Sequence, residues 1–282
     1  MAIPSHKLLL VFMSVLLVFL FLSPRSSFSH PLLSTSCLSH ESHNHTNHVV
    51  SLDIRYVGAE GVISESLCQL RFLTVREIYL TSGTVFPPCL RNLSYIRYLD
   101  LSLNSFSGMI PPFLSGSIPA SLGSLSSLTE LHLSYNQLSG SIPASLGSLS
   151  SLTELDLASN QLSGSIPASL GSLSSLTKLD ISINRFNGSI PASFGSLSSL
   201  TELHLSYNQL SGSIPASLGS LSLLRNLYLS YNQLSGSIPD SLGNLSLLQV
   251  LDGVSNRFNE TISSSSLPPS LFRNLDSILS II

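Results

Sequence analysis

The strongest constraint on the fold is a 24-residue repeat that runs through the middle of the chain. Residues 128–151 read LTELHLSYNQLSGSIPASLGSLSS, and residues 200–223 repeat them with Leu223 in place of the final serine. A fixed period of this length predicts a solenoid, in which each unit stacks on its neighbours and none folds alone. Successive units open at Leu128, Leu152, Leu176, Leu200, Leu224 and Leu248.

The first half of each unit predicts a short strand. In the unit from Leu128, Leu131 and Leu133 alternate with the polar residues Glu130 and His132. A period of two turns the leucines toward a core and the polar side chains toward solvent. Stacked units then align their strands about 4.8 Å apart in one parallel sheet.

An asparagine recurs at the ninth place of the units. Its amide both donates and accepts hydrogen bonds, so it satisfies buried backbone groups where the strand turns away. Leaving those groups unpaired is costly. We therefore assign these asparagines a structural role rather than a ligand-binding one: Asn104, Asn136, Asn160, Asn184, Asn208, Asn232 and Asn256.

The second half of each unit, LSGSIPASLGSLSS, excludes a continuous helix because Gly-Ser-Ile-Pro interrupts it. Gly140 and its equivalents permit a turn, and Pro143 and its equivalents hold an extended stretch. The full unit, L-x-x-L-x-L-x-x-N-x-L with L-x-G-x-I-P, resembles the plant extracellular class of leucine-rich repeats over residues 49–271. That class includes receptor-like kinases, receptor-like proteins and polygalacturonase-inhibiting proteins. The resemblance implies an α/β solenoid, a right-handed superhelix (horseshoe) with a parallel concave β-sheet and a 3-10 or irregular convex side.

The segment 1–29 predicts a secretory signal peptide. A basic start with Lys7 precedes a short apolar run at 8–22, and small residues follow. The run is shorter than the roughly 20 residues of a membrane span, which favours a cleaved signal peptide over the alternative, an uncleaved anchor. A polar, His-rich segment at 30–48, which we expect to be mobile, and degenerate N-terminal repeats at 49–95 come next.

The leucine-rich repeats proper occupy 96–271, with one irregular junction. The spacing from Ile96 to Leu128 exceeds the repeat period by a third, so we predict a non-strand bulge at 111–120 on the face away from the sheet. Residues 272–282 read as a truncated next repeat. An uncapped repeat end invites association, and we favour truncation of a longer protein over a partner that covers this end.

The outward strand residues form the candidate ligand-binding face. One row holds Asp100, His132, Asp156, Asp180, His204, Tyr228 and Asp252, and a neighbouring row holds Tyr135, Ser159, Ile183, Tyr207 and Tyr231. Tyrosine is a frequent anchor in protein interfaces. The candidate ligand-binding residues are Glu130, His132, Tyr135, Glu154, Asp156, Lys178, Asp180, Glu202, His204, Tyr207, Tyr228 and Tyr231.

Two pairs of these residues predict pH-dependent binding. His132 is expected beside Asp156, and His204 beside Asp180, on adjacent strands. A carboxylate next to an imidazole favours the protonated ring. Ligand binding is then expected to vary across the mildly acidic range in which histidine changes charge.

Other chemistries find little support. A net charge of -3 excludes a basic nucleic-acid binder, and the chain has no kinase Gly-rich loop, H-R-D or D-F-G sequence. It has no nucleophile elbow or oxyanion site either, so we expect no enzyme, no catalytic residue and no cofactor. No metal site is assigned, because the tract His40, His43, His45 and His48 fits no zinc spacing and reads as a solvated tail.

Secretion would have two chemical consequences. The odd number of cysteines, Cys37, Cys68 and Cys89, leaves one thiol over or pairs it with another chain, and the pairing stays open. N-glycosylation acceptors of the form N-x-S/T occur at Asn44, Asn92, Asn187, Asn244 and Asn259.

These features predict a secreted or cell-surface recognition protein, receptor-like and truncated, that acts in signalling or defence perception. Its partner would be a peptide or protein ligand, with a co-receptor kinase or a pectinase as further candidates, in the cell-wall space or at the plasma membrane. Membrane contact would come only through an uncleaved N-terminal segment or a missing C-terminal span. A soluble inhibitor of pathogen polygalacturonase and a non-functional fragment are the alternatives; unrecognisable cysteine-bearing caps count against the inhibitor.

Overall fold

The computed structural model describes the repeats together with three strands nearer the N-terminus. The described residues are 42–43, 49–59, 74–80, 96–103 and 118–259, of which the first three ranges are described as backbone strands. Some predictions therefore fall outside the described residues: the signal peptide, the three cysteines, Asn44, Asn92, Asn104, most of the 111–120 junction and the truncated repeat at 272–282.

The three N-terminal strands form a sheet of their own. They are β1 (Ser42–His43), β2 (Val49–Ala59) and β3 (Thr74–Leu80). Strand β1 runs antiparallel to β2, and β2 runs parallel to β3. Part of the segment predicted to be a polar tail, residues 42 and 43, is thus paired into a sheet.

The repeats proper contain two strands and one 3-10 turn in most units. The strands are β4 (Tyr98–Asp100), β5 (Glu130–His132), β6 (Ser139–Gly140), β7 (Glu154–Asp156), β8 (Gln161–Ser165), β9 (Lys178–Asp180), β10 (Arg185–Gly188), β11 (Glu202–His204), β12 (Gln209–Gly212), β13 (Asn226–Tyr228), β14 (Gln233–Gly236), β15 (Val250–Asp252) and β16 (Arg257–Phe258). The 3-10 turns span Ala120–Ser124, Ala144–Ser148, Ala168–Ser172, Ala192–Ser196, Ala216–Ser220 and Asp240–Asn244.

The predicted concave sheet is present as a seven-stranded parallel sheet in the order β15-β13-β11-β9-β7-β5-β4. Its register is the repeat itself, since Leu131 lies opposite Leu155, which lies opposite Leu179. The central leucine of each strand is buried and the residues on either side of it are half-buried. The solenoid predicted from the repeat is confirmed.

The irregular junction leaves the concave sheet unbroken. Leu99 of β4 pairs directly with Leu131 of β5, although the chain between them is a third longer than one repeat. The strand that a full extra unit would insert is thus not placed between these two. The bulge at 111–120 stays a prediction, because residues 104–117 lie outside the described part of the chain.

The second strands of the units form another parallel sheet, in the order β16-β14-β12-β10-β8-β6. The leucine pattern did not predict it, because its strands are very short and show no clean polar alternation. Each of these strands pairs with the corresponding strand of the neighbouring unit; Phe186 of β10, for example, lies opposite Gly164 of β8. The glycine of the turn has a left-handed backbone, as expected, with φ of 79° at Gly140.

Successive 3-10 turns pack at backbone contact. The Ser193 hydroxyl donates to the carbonyl oxygen of Ala168 at 2.7 Å, which ties one turn to the next. A Cβ added at Gly171 would lie 2.5 Å from the carbonyl oxygen of Ser193, closer than real Cβ contacts allow. The second glycine of each unit is therefore required by the approach of the next unit.

The described ninth-place asparagines hydrogen-bond to the backbones of neighbouring units, as expected of a structural ladder. The Asn184 side-chain amide donates to the carbonyls of Leu157 at 3.0 Å, Ser182 at 3.0 Å and Ile181 at 3.3 Å. Its Oδ1 accepts from the backbone N–H of Leu162 at 2.9 Å. The amide donation recurs at Asn136, Asn160, Asn208, Asn232 and Asn256.

Candidate binding face

The concave sheet presents two outward rows, one on each side of the buried leucines. The first row, at the third place of each unit, holds Tyr98, Glu130, Glu154, Lys178, Glu202, Asn226 and Val250. The second row, at the fifth place, is Asp100, His132, Asp156, Asp180, His204, Tyr228 and Asp252. Nine of the twelve candidate ligand-binding residues named from the sequence lie in these rows; the other three, Tyr135, Tyr207 and Tyr231, lie just beyond the strands.

The face is strongly acidic. Within the described strands of this sheet, Lys178 is the one ammonium, and it is outnumbered by carboxylates. The whole chain has a net charge of -3, so negative charge is concentrated here. The carboxylates are Asp100, Glu130, Glu154, Asp156, Asp180, Glu202 and Asp252.

A third row runs along the edge where the strands end, and its backbone is left-handed. At this eighth place φ is 53° to 58°, a conformation rare in bulky residues, which holds Leu103, Tyr135, Ser159, Ile183, Tyr207, Tyr231 and Ser255. All of these residues except the half-buried Ser159 are exposed to solvent, with Tyr135 58% exposed. The sequence located this row but not its conformation.

The third row contains a tyrosine stack toward its C-terminal end. The rings of Tyr207 and Tyr231 lie 4.3 Å apart, 12° from parallel, and are 51% and 47% exposed. Local desolvation, then the Tyr231 phenol and the charge of Asp252, raise the pKa of Tyr207 above its usual 10.0. Both apolar ring surface and a protonated hydroxyl are thus available to a ligand.

The aspartates of the face also have a structural role that the sequence pattern did not reveal. Asp156 Oδ1 accepts from the backbone N–H of Ala158 at 3.0 Å, and Asp180 Oδ1 accepts from that of Ser182 at 3.0 Å. Aspartate bonded to the chain two residues on is a turn device, and its signal in sequence is Asp just before the change of direction. The glutamates of the first row make no such bond to the strand exit.

The histidines lie in the predicted register but contact glutamates as well. His204 lies opposite Asp180, with Nδ1 3.9 Å from Oδ2, while its Nε2 lies 3.3 Å from Oε2 of Glu202. His132 lies opposite Asp156, yet its Nε2 approaches Glu130 and Glu154 instead. The pH-dependent binding inferred from these pairs stays a prediction.

The glycosylation acceptors that are described lie off the concave sheet. Asn187 belongs to β10 in the second sheet, Asn244 ends a 3-10 turn, and Asn259 follows β16. All three are exposed. Sugars at these positions would leave the acidic rows open.

The repeats match known protein families. Three leucine-rich repeat families match at residues 95–125, 126–174 (as two copies) and 174–234. No curated protein matches the chain. Within the described residues, no helix has the length and apolar character needed to cross a membrane.

Comparison with solved structures indicates which class of leucine-rich repeat protein the chain resembles. The ectodomain of the Arabidopsis thaliana receptor kinase GASSHO1/SCHENGEN3, in complex with CASPARIAN STRIP INTEGRITY FACTOR 2, is 30% identical over 89% of this chain and 33% of its own, with a TM-score of 0.68. The Arabidopsis receptor kinase HAESA, with the peptide hormone IDA and the co-receptor SERK1, is 32% identical over 77% of this chain and 40% of its own, with a TM-score of 0.64. The chain belongs to the plant extracellular leucine-rich repeat family. The plant peptide hormone receptor RGFR1, in complex with RGF2, is a further leucine-rich repeat structure of this kind, 33% identical over 71% of this chain and 35% of its own, with a TM-score of 0.55. The chain thus spans about a third to two fifths of each of these solved chains, and the fold it shares with them is that of ligand-binding receptor ectodomains.

Proposed function

We propose that this chain is a secreted or cell-surface recognition module that binds an extended, positively charged peptide along its concave face. It acts by binding rather than by catalysis, in a receptor-like role in signalling or defence perception. The observation that carries the proposal is the acidic, open parallel sheet. Its two outward rows hold carboxylates on six of the seven strands and an ammonium only at Lys178.

The spacing of the rows suits an extended ligand. Parallel strands lie about 4.8 Å apart and an extended peptide rises about 3.3 Å per residue, so three peptide residues span about two strand intervals. A peptide with Arg or Lys at such intervals would meet carboxylates along the face. Complementary charge also raises the rate of encounter, and it makes that rate sensitive to salt.

The tyrosine stack supplies the apolar part of the site. Tyr207 and Tyr231 lie beside the acidic rows, one strand apart, and expose about half of their surfaces. A guanidinium or an apolar side chain packs well on such rings. We therefore expect the ligand to combine basic residues with at least one apolar or Arg side chain seated on this pair.

Related receptors support the peptide as ligand class. HAESA and RGFR1 were solved with the peptide ligands IDA and RGF2. The same class supports a co-receptor as a second partner, since the HAESA complex contains SERK1. Glycosylation and an extracellular location belong to the same proposal.

Binding of synthetic peptides of matched composition tests the proposal. Purified protein is screened against short random peptides of one length, grouped by charge, at low and at physiological salt. Peptides rich in Arg and Lys are expected to be enriched among the binders, with affinity that falls as salt rises. Equal binding of acidic and basic peptides would contradict the proposal.

Point variants locate the site. Tyr231→Ala is expected to weaken binding about tenfold or more, and Glu202→Gln by less, because the ring is the anchor and the carboxylate is partly solvated. Asp240→Asn, in an exposed 3-10 turn, and Leu223→Ala are the matched controls.

If polygalacturonase is bound and inhibited while peptides are not, the inhibitor alternative replaces the receptor-like role.

A further inference from the structure

Three side chains with metal-ligating atoms converge at the N-terminal half of the concave sheet. Glu130 and His132 lie two residues apart on β5 and point the same way, and the register places Glu154 of β7 opposite Glu130. The Nε2 atom of His132 lies 3.5 Å from Oε2 of Glu130 and 4.0 Å from Oε2 of Glu154. One ligand atom from each residue lies within 4.8 Å of the other two.

These separations are close to those of a small tetrahedral ion. Ligands held about 2.0–2.1 Å from zinc are separated from one another by about 3.4 Å. Both glutamate side chains are more than a third exposed, at 36% and 38%, so they are free to rotate. The group therefore closes around an ion by side-chain rotation, while the paired strands stay in place.

The histidine nitrogen provides an independent observation. His132 Nε2 has less than 1 Å² of accessible surface and no hydrogen-bond partner. A buried polar nitrogen without a partner is unfavourable. The atom faces two carboxylate oxygens at distances too long for it to donate to either. A cation among the three groups gives the nitrogen a partner and neutralises both carboxylates.

We propose that Glu130, His132 and Glu154 form a binding site for a divalent transition-metal ion, with Zn²⁺ as the best fit. Imidazole nitrogen and carboxylate oxygen are both zinc ligands, and an open zinc site has three protein ligands with the fourth position left to water or to a ligand. Calcium and magnesium prefer oxygen ligands in larger number or stricter octahedral geometry. Among the paired strand residues described, the cationic residue nearest to this group is Lys178 of β9, which lies opposite Glu154 of β7.

The near-identical unit at 200–223 serves as an internal comparison. His204 and Glu202 occupy the same places, but Asn226 stands opposite Glu202 where Glu154 stands opposite Glu130. The second carboxylate near His204 belongs to Asp180 and approaches the other ring nitrogen, at 3.9 Å. Of the residues in the described ranges, only the Glu130 group brings three ligand atoms together.

Titration with Zn²⁺ alone tests the proposal. Untagged, metal-stripped protein is titrated by isothermal calorimetry, with thermal unfolding followed in parallel. Wild type is expected to bind one ion at this site and to unfold at a higher temperature with Zn²⁺. His132→Asn and Glu154→Asn are each expected to weaken that binding at least about tenfold and to abolish the thermal shift.

The repeats offer matched controls. His204→Asn should leave binding unchanged, and Asn226→Glu should create a second site. Replacement of the four histidines at 40–48 by glutamine separates this site from the His-rich segment and should also leave it intact. Circular dichroism verifies that each variant is folded. Zinc binding that is the same in wild type and Glu154→Asn, or that disappears only when the 40–48 histidines are replaced, would overturn the proposal.

Discussion

Removal of one rung of the asparagine ladder should destabilise the solenoid by several kilocalories per mole. In Asn184→Ala, the N–H of Leu162 and the carbonyl of Leu157 lose bonds of 2.9 Å and 3.0 Å, and both groups lie between packed units. Each buried backbone group left unpaired costs about 1–3 kcal/mol, so for these two groups we expect a loss of about 2–6 kcal/mol. For a domain of this size, at about 2–4 °C per kcal/mol, that corresponds to a fall in Tm of roughly 4–24 °C.

The same unit contains a matched control. Asn187 is exposed, so Asn187→Ala in unglycosylated protein should change stability by no more than about 0.5 kcal/mol. Urea and thermal unfolding, followed by circular dichroism, measure both variants. If Asn184→Ala and Asn187→Ala unfold at the same urea concentration, the assignment of the ladder as a stabilising element is wrong.

An aspartate at the same position tests the role of the amide protons. Asn184→Asp keeps an acceptor for Leu162 but turns a carboxylate toward carbonyl oxygens of the ladder, such as those of Leu157 and Ser182. That surrounding raises the pKa of the new carboxyl, because the protonated form alone can donate. A raised pKa means that stability is lost as pH rises through it. The variant should therefore regain stability between pH 7 and about pH 4, relative to wild type, whereas Asn184→Ala should not.

The packing and the surface lead to three further predictions. Gly171→Ala should cost about 1–3 kcal/mol in urea unfolding, because its Cβ meets the backbone of the next turn, while Ser172→Ala should be nearly neutral. In protein from a secretory host, Asn187→Gln should remove one enzymatically releasable glycan, and an unchanged mass would show that the acceptor is not used. In Tyr231→Ala, the pKa of Tyr207 should fall back toward 10.0, and alkaline difference absorbance should show its ionisation at lower pH; an unchanged titration would mean that Tyr231 does not raise that pKa.

Much of the fold is predictable because the amino-acid sequence repeats with a regular period. The concave strands, their register and the role of the asparagines all follow from the leucine spacing and the ninth-place amide. The second sheet does not, because strands as short as Ser139–Gly140 are defined by pairing with a neighbouring unit rather than by their own pattern. Local propensity is a weak guide where tertiary pairing decides.

The candidate site was predictable in position but not in detail. Strand alternation alone places Glu130, His132 and Glu154 on the face. The side-chain rotations that turn His132 toward the glutamates rather than toward Asp156 depend on contacts across two strands. The backbone bonds of Asp156 and Asp180 likewise arise only once the chain turns at the strand exit.

The direct pairing of β4 with β5 shows that contour length and surface spacing are uncoupled in this molecule. The path from Leu99 to Leu131 is longer than that of any regular unit, yet the two strands are hydrogen-bonded neighbours like any others in the sheet. Extra residues between two strands of the sheet therefore need not shift the outward rows by even one strand. The connections of such a scaffold can be lengthened, shortened or recombined while a ligand that lies along the sheet still meets evenly spaced strands.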